Sequence, residues 1–196
     1  MPKIIPIVEG DGDVAAVPNL IRRILGERFQ RYDWSVGHPK RAHSLAVLRR
    51  DLEKYILYAE SESDCAGTLI LLDLDDGCPM QEALALDISI RAIHHFLPVA
   101  IVFACKEYET WFLASIESLA GQYTLPAEIS APVDVEKIRG AKEWITDRMA
   151  PGRIYKETDH QPAMSAYMDL ELAANRSRSF RRLISAIEDL LQANEN

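Results

Sequence analysis

A continuous apolar run, Thr68-Leu69-Ile70-Leu71-Leu72, leads directly into the acidic stretch Asp73-Leu74-Asp75-Asp76-Gly77. An apolar run without polar interruption is typical of a strand that is covered on both faces, as in the centre of a parallel sheet. Near the start of the chain, Ile4-Ile5-Pro6-Ile7-Val8 leads into Glu9-Gly10-Asp11-Gly12-Asp13 in the same way. The sequence therefore predicts two strands that each end in a cluster of carboxylates.

The first half of the chain alternates strand and helix patterns, which predicts right-handed crossovers and a largely parallel sheet. We expect an α/β fold, with a mostly parallel four-stranded sheet, helices on both faces and a helical C-terminal extension. Residues 1–196 are treated as one domain, with a core of about 1–120 and an extension of about 121–196 that begins with a long loop. The predicted strands are 3–8, 32–36, 68–72 and 98–104, and the predicted helices are 13–31, 42–58, 81–96, 106–119, 141–149 and 177–191.

The composition predicts a folded cytoplasmic protein. Of 196 residues, 48% are hydrophobic and 27% are charged, which is ordinary for a chain that buries a core. No apolar stretch approaches the ~18 residues of a membrane span, and no signal-peptide pattern opens the sequence, so we expect no membrane contact. The three cysteines lack Cys-x-x-Cys spacing, which argues against a disulfide framework and against a zinc site.

Acidic side chains follow three of the predicted strands: Glu9 and Asp13, then Asp73 and Asp75, then Glu109. The carboxyl ends of parallel strands share one crevice, and Asp73 and Asp75 face the same side if their strand continues, so we expect these carboxylates to converge. Closely packed like charges need a cation, and oxygen ligands suit Mg²⁺ or Mn²⁺. Three alternatives stay open: Asp13 as a helix cap, the Asp73 cluster as a solvated turn, and Glu109 as an ordinary first-turn acid.

Basic residues crowd around the final predicted helix, although the chain carries a net charge of −8. An acidic surface repels phosphate backbones, so a nucleic-acid partner has to be argued from local features. Arginines can hold phosphates bidentately, and Arg178 and Arg182 are four residues apart on one helix face. The residues predicted to bind nucleic acid are Lys156, Arg178, Arg181 and Arg182. The alternative is a solvated basic face that pairs with local acids.

Three features in this order resemble the Toprim fold of topoisomerases, bacterial primases and the overcoming-lysogenization-defect nucleases. They are a strand ending in Val8-Glu9-Gly10, Asp13 four residues after the glutamate, and a later strand ending in Asp73-Leu74-Asp75. The stretches Glu107-Tyr108-Glu109-Thr110-Trp111-Phe112-Leu113 and Ser177-Arg178-Ser179-Phe180 are similar to the Toprim-related bacterial family DUF4276. The resemblance implies Glu9 as a general acid or base, and Asp73 with Asp75 as Mg²⁺ ligands.

The leading functional hypothesis is a Mg²⁺-dependent nuclease or other phosphodiesterase that acts on nucleic acid, with phage defence or mobile-element biology as its setting. Catalysis is assigned to Glu9, Asp73 and Asp75, and the predicted metal ligands are Glu9, Asp13, Asp73, Asp75 and Glu109. The chain carries no recognisable ATPase motif, so an ATPase or other defence-system partner would be a separate chain. The first rival is a non-catalytic metal-binding or protein-interaction module of the same fold. The second is a haloacid-dehalogenase-like phosphatase, which Asp76 disfavours because glycine should directly follow the second aspartate of that motif. The oligomeric state stays open.

Overall fold

The computed structural model describes residues 1–195, which form a five-stranded parallel sheet with helices on both faces. β1 pairs with the short strands β2 and β3 on one side and with β4 on the other, and β4 pairs with β5. β4 is therefore central, as its apolar sequence predicts. The strands are β1 (Lys3–Val8), β2 (Ser35–Val36), β3 (Lys40–Arg41), β4 (Cys65–Leu74) and β5 (Val99–Cys105).

The helices between the strands follow the predicted order with altered limits. The first continues beyond Arg23 as a π-helical turn over Ile24–Arg28, and the second predicted helix breaks in two at Asp51. The helix predicted over 106–119 is shorter and runs into a 3-10 turn at Ile116–Leu119. The helices of the sheet region are α1 (Asp11–Arg23), α2 (Leu45–Arg50), α3 (Leu52–Ser61), α4 (Pro79–Arg91) and α5 (Thr110–Ala114).

The C-terminal extension contains two helices that the sequence pattern does not predict, α7 (Glu157–Tyr167) and α8 (Leu170–Arg176). The segment from 121 to 140 is irregular, as expected, apart from a short 3-10 turn at Val135–Lys137. The final helix is the predicted one, with one apolar stripe buried against the sheet. The helices of the extension are α6 (Ala141–Thr146), α7 (Glu157–Tyr167), α8 (Leu170–Arg176) and α9 (Arg178–Ala193).

The strand count of four is corrected to five. After the Gly37-His38-Pro39 break, the chain returns to β1 as β3, which pairs near the carboxyl end of β1, whereas β2 pairs near its start. A two-residue strand is too short to show an alternating pattern, so sequence periodicity cannot reveal it. The predicted class, a parallel α/β sheet with helices on both faces and a helical C-terminal region, is confirmed.

Side chains of β4 alternate between two hydrophobic cores. Leu69 and Leu71 lie in the core shared with α1, α5 and α9, whereas Ile70 and Leu72 lie in the core shared with α2, α3 and α4. Because strand side chains alternate, Asp73 belongs to the face of Leu71, which α1 and α9 cover. That placement puts the first aspartate of the acidic cluster beside α1 rather than in the solvent. Within residues 1–195 no helix is long and apolar enough to span a membrane.

Candidate active site

The cavity at the carboxyl ends of β1 and β4 measures about 220 Å³. Its walls come from both halves of the chain, because α6 and α7 of the extension close the side that the sheet leaves open. Carboxylates dominate the lining, with a few cationic and neutral polar groups between them. The lining residues are Glu9, Gly10, Asp13, Arg41, His43, Asp73, Tyr108, Glu109, Lys142, Glu157 and Gln161.

Glu9 and Asp73 are neighbours because β1 and β4 are hydrogen-bonded strands in parallel register. The Oε2 atom of Glu9 accepts a hydrogen bond from the backbone N–H of Asp73 at 3.2 Å. Burial raises the pKa of Glu9, and Asp13 and Asp75 add repulsion that the Asp73 N–H bond opposes. Burial also raises the pKa of Asp73 well above its usual value, with further repulsion from Asp13, Glu109 and Glu9. Glu9 and Asp73 are therefore both harder to ionise than usual, because they are buried and lie close to other carboxylates.

Asp13 closes the first turn of its helix and also lines the cavity, and its role as a metal ligand stays a prediction. Its Oδ2 atom accepts from the backbone N–H of Gly10 at 2.8 Å, which closes the first turn of α1. Its Oδ1 atom accepts from the side-chain amide of Gln161. The side chain is 8% exposed, and burial raises the pKa of Asp13 despite these two donors. Capping alone does not account for a carboxylate placed among other acids.

Glu109 is the most deeply buried acid of the cavity, with 1% of its surface exposed. It lies in the turn that starts α5, and its Oε1 atom accepts from the hydroxyl of Tyr155 at 2.8 Å. Its Oε2 atom is buried and has no hydrogen-bond partner among residues 1–195. Burial raises the pKa of Glu109 to about 7, although Lys142 and Tyr155 favour the charged form. An unpartnered buried carboxylate oxygen is costly unless a proton or a cation satisfies it.

Asp75 does not line the cavity. β4 ends at Leu74, so the strand alternation that would carry Asp75 to the face of Asp73 is lost, and Asp75 is exposed. Residues outside the cavity lining hold the turn that follows. Asp76 pairs with Arg139, and Lys106 donates to the carbonyl of Asp75. Asp75 is nevertheless close enough to raise the pKa of Glu9 by repulsion.

Three basic side chains that the sequence pattern does not predict at the site, Arg41, His43 and Lys142, line the cavity. Lys142 pairs with Glu157 at 2.5 Å. Burial works against the charge of Lys142, but Glu109 and Glu157 outweigh it and raise the pKa of Lys142. Arg41 donates through Nε to the carbonyl of Glu9 at 3.2 Å. The cavity thus places positive charge next to its carboxylates, with Lys142 paired to Glu157 and Arg41 paired to Asp11.

The four residues predicted to bind nucleic acid lie outside the cavity lining. Arg181 donates to the carbonyls of Ala174 and Asn175 at the end of α8, and Arg182 pairs with Asp189 at 3.1 Å. Arg178 and Lys156 are exposed. The hydrogen bonds of Arg181 and Arg182 agree with the alternative of a solvated basic face, and their assignment to nucleic acid stays a prediction.

The residues of the cavity fit Mg²⁺ or Mn²⁺ by their chemistry. Glu9, Asp13, Asp73 and Glu109 offer only oxygen donors, their pKa values are all raised, and Glu109 keeps one oxygen free. As placed, no three His, Cys, Asp or Glu side chains in residues 1–195 lie close enough together to hold a metal ion. Binding therefore requires these side chains to move inward.

Comparison with known proteins places the chain in a family. No curated protein matches it. Among solved structures it is similar to the C-terminal region of the Burkholderia pseudomallei OLD protein, with a TM-score of 0.43, 15% sequence identity, and coverage of 96% of this chain and 98% of that one. Residues 8–188 match the family described as a domain of unknown function (DUF4276), which confirms the predicted family. The chain belongs to the DUF4276 family.

Proposed function

We propose that this protein is a Mg²⁺- or Mn²⁺-dependent phosphodiesterase of the nuclease type, acting on nucleic acid. The observation that carries the proposal is the unpartnered buried oxygen of Glu109, in a cavity shared with Glu9, Asp13 and Asp73. A divalent cation would satisfy this oxygen and relieve the mutual repulsion of the four carboxylates. The cations Lys142 and Arg41 in the same cavity support a phosphate as the anionic ligand.

In this proposal Asp13, Asp73 and Glu109 hold the metal, which when bound supplies Lewis acidity at a phosphate oxygen. Lys142 attracts the phosphate by its charge, since Glu157 and Glu109 keep it protonated. Glu9 is half-buried, and its raised pKa suits a group that accepts a proton from an attacking water. Phage defence or mobile-element biology remains the proposed setting, with any ATPase supplied by a separate partner chain.

A non-catalytic module of the same fold is the second candidate. It is favoured by the side-chain positions themselves, because no three metal-ligating side chains in the described part of the chain are gathered at ligand distance. It is also favoured by hydrogen bonds and ion pairs that partly satisfy Asp13, Glu109 and Glu157 without a metal. In that case the cavity serves as a docking or regulatory feature, and no cleavage accompanies binding.

Cleavage assays with Mn²⁺ separate the two candidates. Wild-type protein is incubated with labelled single- and double-stranded DNA and RNA, beside Asp73→Asn and a matched control, Asp64→Asn. Asp64 precedes the same strand at its opposite end and is exposed, so its substitution removes an equal charge far from the cavity. We expect Asp73→Asn alone to abolish Mn²⁺-dependent cleavage. Absence of cleavage of all four substrates by wild-type protein would favour the non-catalytic module.

A further inference from the structure

The polar contacts of α7 reach the carboxylates of the cavity. Gln161 is 3% exposed, and its side-chain Nε2 donates to Oδ1 of Asp13. Tyr155, just before the helix, donates to Glu109 at 2.8 Å. Two of the four acids at the carboxyl edge of the sheet are therefore oriented by one short segment of the C-terminal extension. The sequence pattern does not predict a helix in this segment. Gln161 has no role in the chemistry proposed for the cavity.

Gly12 shows that the fold makes room for this contact. A Cβ atom at position 12 would lie 2.0 Å from Oε1 of Gln161 and 3.1 Å from the backbone carbonyl carbon of Glu157. A side chain at position 12 would displace the Gln161 amide and push against the backbone of α7, so glycine favours this close approach of α7 to α1. Glycine stabilises a helix less than alanine does, so the glycine at position 12 is explained by the close approach of the two helices rather than by the helix itself.

The chemistry of the contact differs from ordinary helix packing. Hydrophobic side chains would join two helices without the cost of burying an amide, whereas Gln161 places a neutral donor against a buried carboxylate. The amide adds no charge to a cavity that already contains several acids. The backbone N–H of Gly10 binds the other oxygen of Asp13 at 2.8 Å, so the carboxyl plane is fixed from two sides. Neutral donors that fix a metal ligand in this way tune metal affinity.

We propose that Gln161 is a positioning residue that orients Asp13 for metal binding, so that α7 is a functional part of the cavity. The inference rests on the proposed function, because it assumes that Asp13 is a metal ligand. Loss of the amide leaves the Asp13 carboxylate held from one side only, by the Gly10 N–H, and the affinity for the metal falls by about 10- to 100-fold. If Gln161 only packed α7 against α1, its substitution would change the stability of the metal-free protein and leave the metal affinity unchanged.

The test measures Mn²⁺ affinity by titration with electron paramagnetic resonance, together with urea unfolding in EDTA. The variant is Gln161→Met, which keeps the volume and removes the donor. The matched control is Tyr123→Phe, because the Tyr123 hydroxyl donates to the Ala163 carbonyl of the same helix at 2.9 Å and does not line the cavity. If Gln161→Met does not fold, Gln161→Asn replaces it, since its shorter amide cannot reach Asp13.

We expect the Gln161 variant to bind Mn²⁺ at least 10-fold more weakly than wild type, and Tyr123→Phe to bind like wild type. An affinity within twofold of wild type for the Gln161 variant overturns the positioning role and leaves the proposed function intact. An equal loss of affinity in Tyr123→Phe also overturns it, because the effect then comes from helix packing. If the wild-type protein binds no Mn²⁺, the proposed function is wrong, and this inference, which rests on it, is wrong too.

Discussion

Replacing Glu109 by glutamine should stabilise the metal-free protein at pH 8. Glutamine keeps an oxygen that accepts from Tyr155, and it replaces the unpartnered charged oxygen by a neutral donor. Charge at this buried position is costly, which is why burial raises the pKa of Glu109 from the usual 4.5 to about 7. At about 1.4 kcal/mol per pH unit, that shift corresponds to about 3 kcal/mol of destabilisation when the group is ionised.

The sign of the pH dependence follows from the raised pKa. Between pH 4.5 and about 7 the folded state binds a proton at Glu109 more tightly than the unfolded state does, so acidification favours folding in this range. The penalty of about 3 kcal/mol is fully present above pH 7 and is absent below pH 4.5. The unfolding free energy of Glu109→Gln should therefore be higher than that of wild type by about 3 kcal/mol at pH 8, and nearly the same near pH 4.5.

Urea unfolding in EDTA at pH 8 and at pH 4.5 measures both differences. The control is Glu128→Gln, the same chemical change at an exposed loop position, which should shift stability by less than about 0.5 kcal/mol. Millimolar Mn²⁺ should reduce or reverse the difference in unfolding free energy at pH 8. Mn²⁺ that binds only the folded state stabilises it, and the glutamine variant has lost one of the carboxylates that bind the metal. A Glu109→Gln protein that is less stable than wild type at pH 8 in EDTA would refute the reasoning, as would a gap of equal size at both pH values.

Three further outcomes are expected. Gly12→Ala should destabilise the protein by about 1–3 kcal/mol in urea unfolding, because the new methyl group collides with Gln161; a neutral or stabilising effect would contradict the observed packing. Arg178→Ala combined with Arg182→Ala should make the slope of log affinity against log salt concentration shallower by about 2 for nucleic-acid binding. An unchanged slope would exclude both arginines from the interface. Phe180→Ala, at a fully buried position of α9, should cost about 3–5 kcal/mol of unfolding free energy, whereas a cost below about 1 kcal/mol would show that the core at α9 is wrongly placed.

The sheet is predictable because its strands carry local signals. The run from Thr68 to Leu72 is apolar throughout, and the structure places it as the central strand with a core on each side. The acids that follow β1 and β4 come to one edge because parallel strands must end there together. These local patterns also explain why Glu9, Asp13 and Asp73, which all line the cavity, could be selected from sequence alone.

The helix α7 could not be predicted, because it lacks the features that reveal a helix in a sequence. Pro162 lies inside it, and its buried positions include the polar residues Gln161 and Ser165 instead of a regular apolar stripe. Its burial depends on α1, which is about 150 residues earlier in the chain and approaches through Gly12. Periodicity within a window of residues contains no information about such a contact.

The cationic side of the cavity was missed for a related reason. Lys142 is the second residue of a six-residue helix that follows Gly140. The positive φ of 72° at Gly140 is typical of a turn, but a turn does not reveal where the next helix packs. Arg41 lies on a two-residue strand that no pattern reveals. Strand alternation predicts Asp75 on the face of Asp73 only if the strand continues, and β4 ends at Leu74. A residue brought to the site by an irregular segment is found only when the tertiary packing of that segment is known.

The most direct test of the metal site is a crystal structure of the protein grown or soaked with Mn²⁺, recorded with anomalous scattering from the metal. We predict an anomalous peak inside the cavity, with carboxylate oxygens of Asp13, Asp73 and Glu109 at ~2.0 to 2.6 Å from it. The formerly unpartnered oxygen of Glu109 should be one of these ligands. A map with no peak in the cavity at saturating Mn²⁺, or with peaks only on exposed acids, would contradict the account.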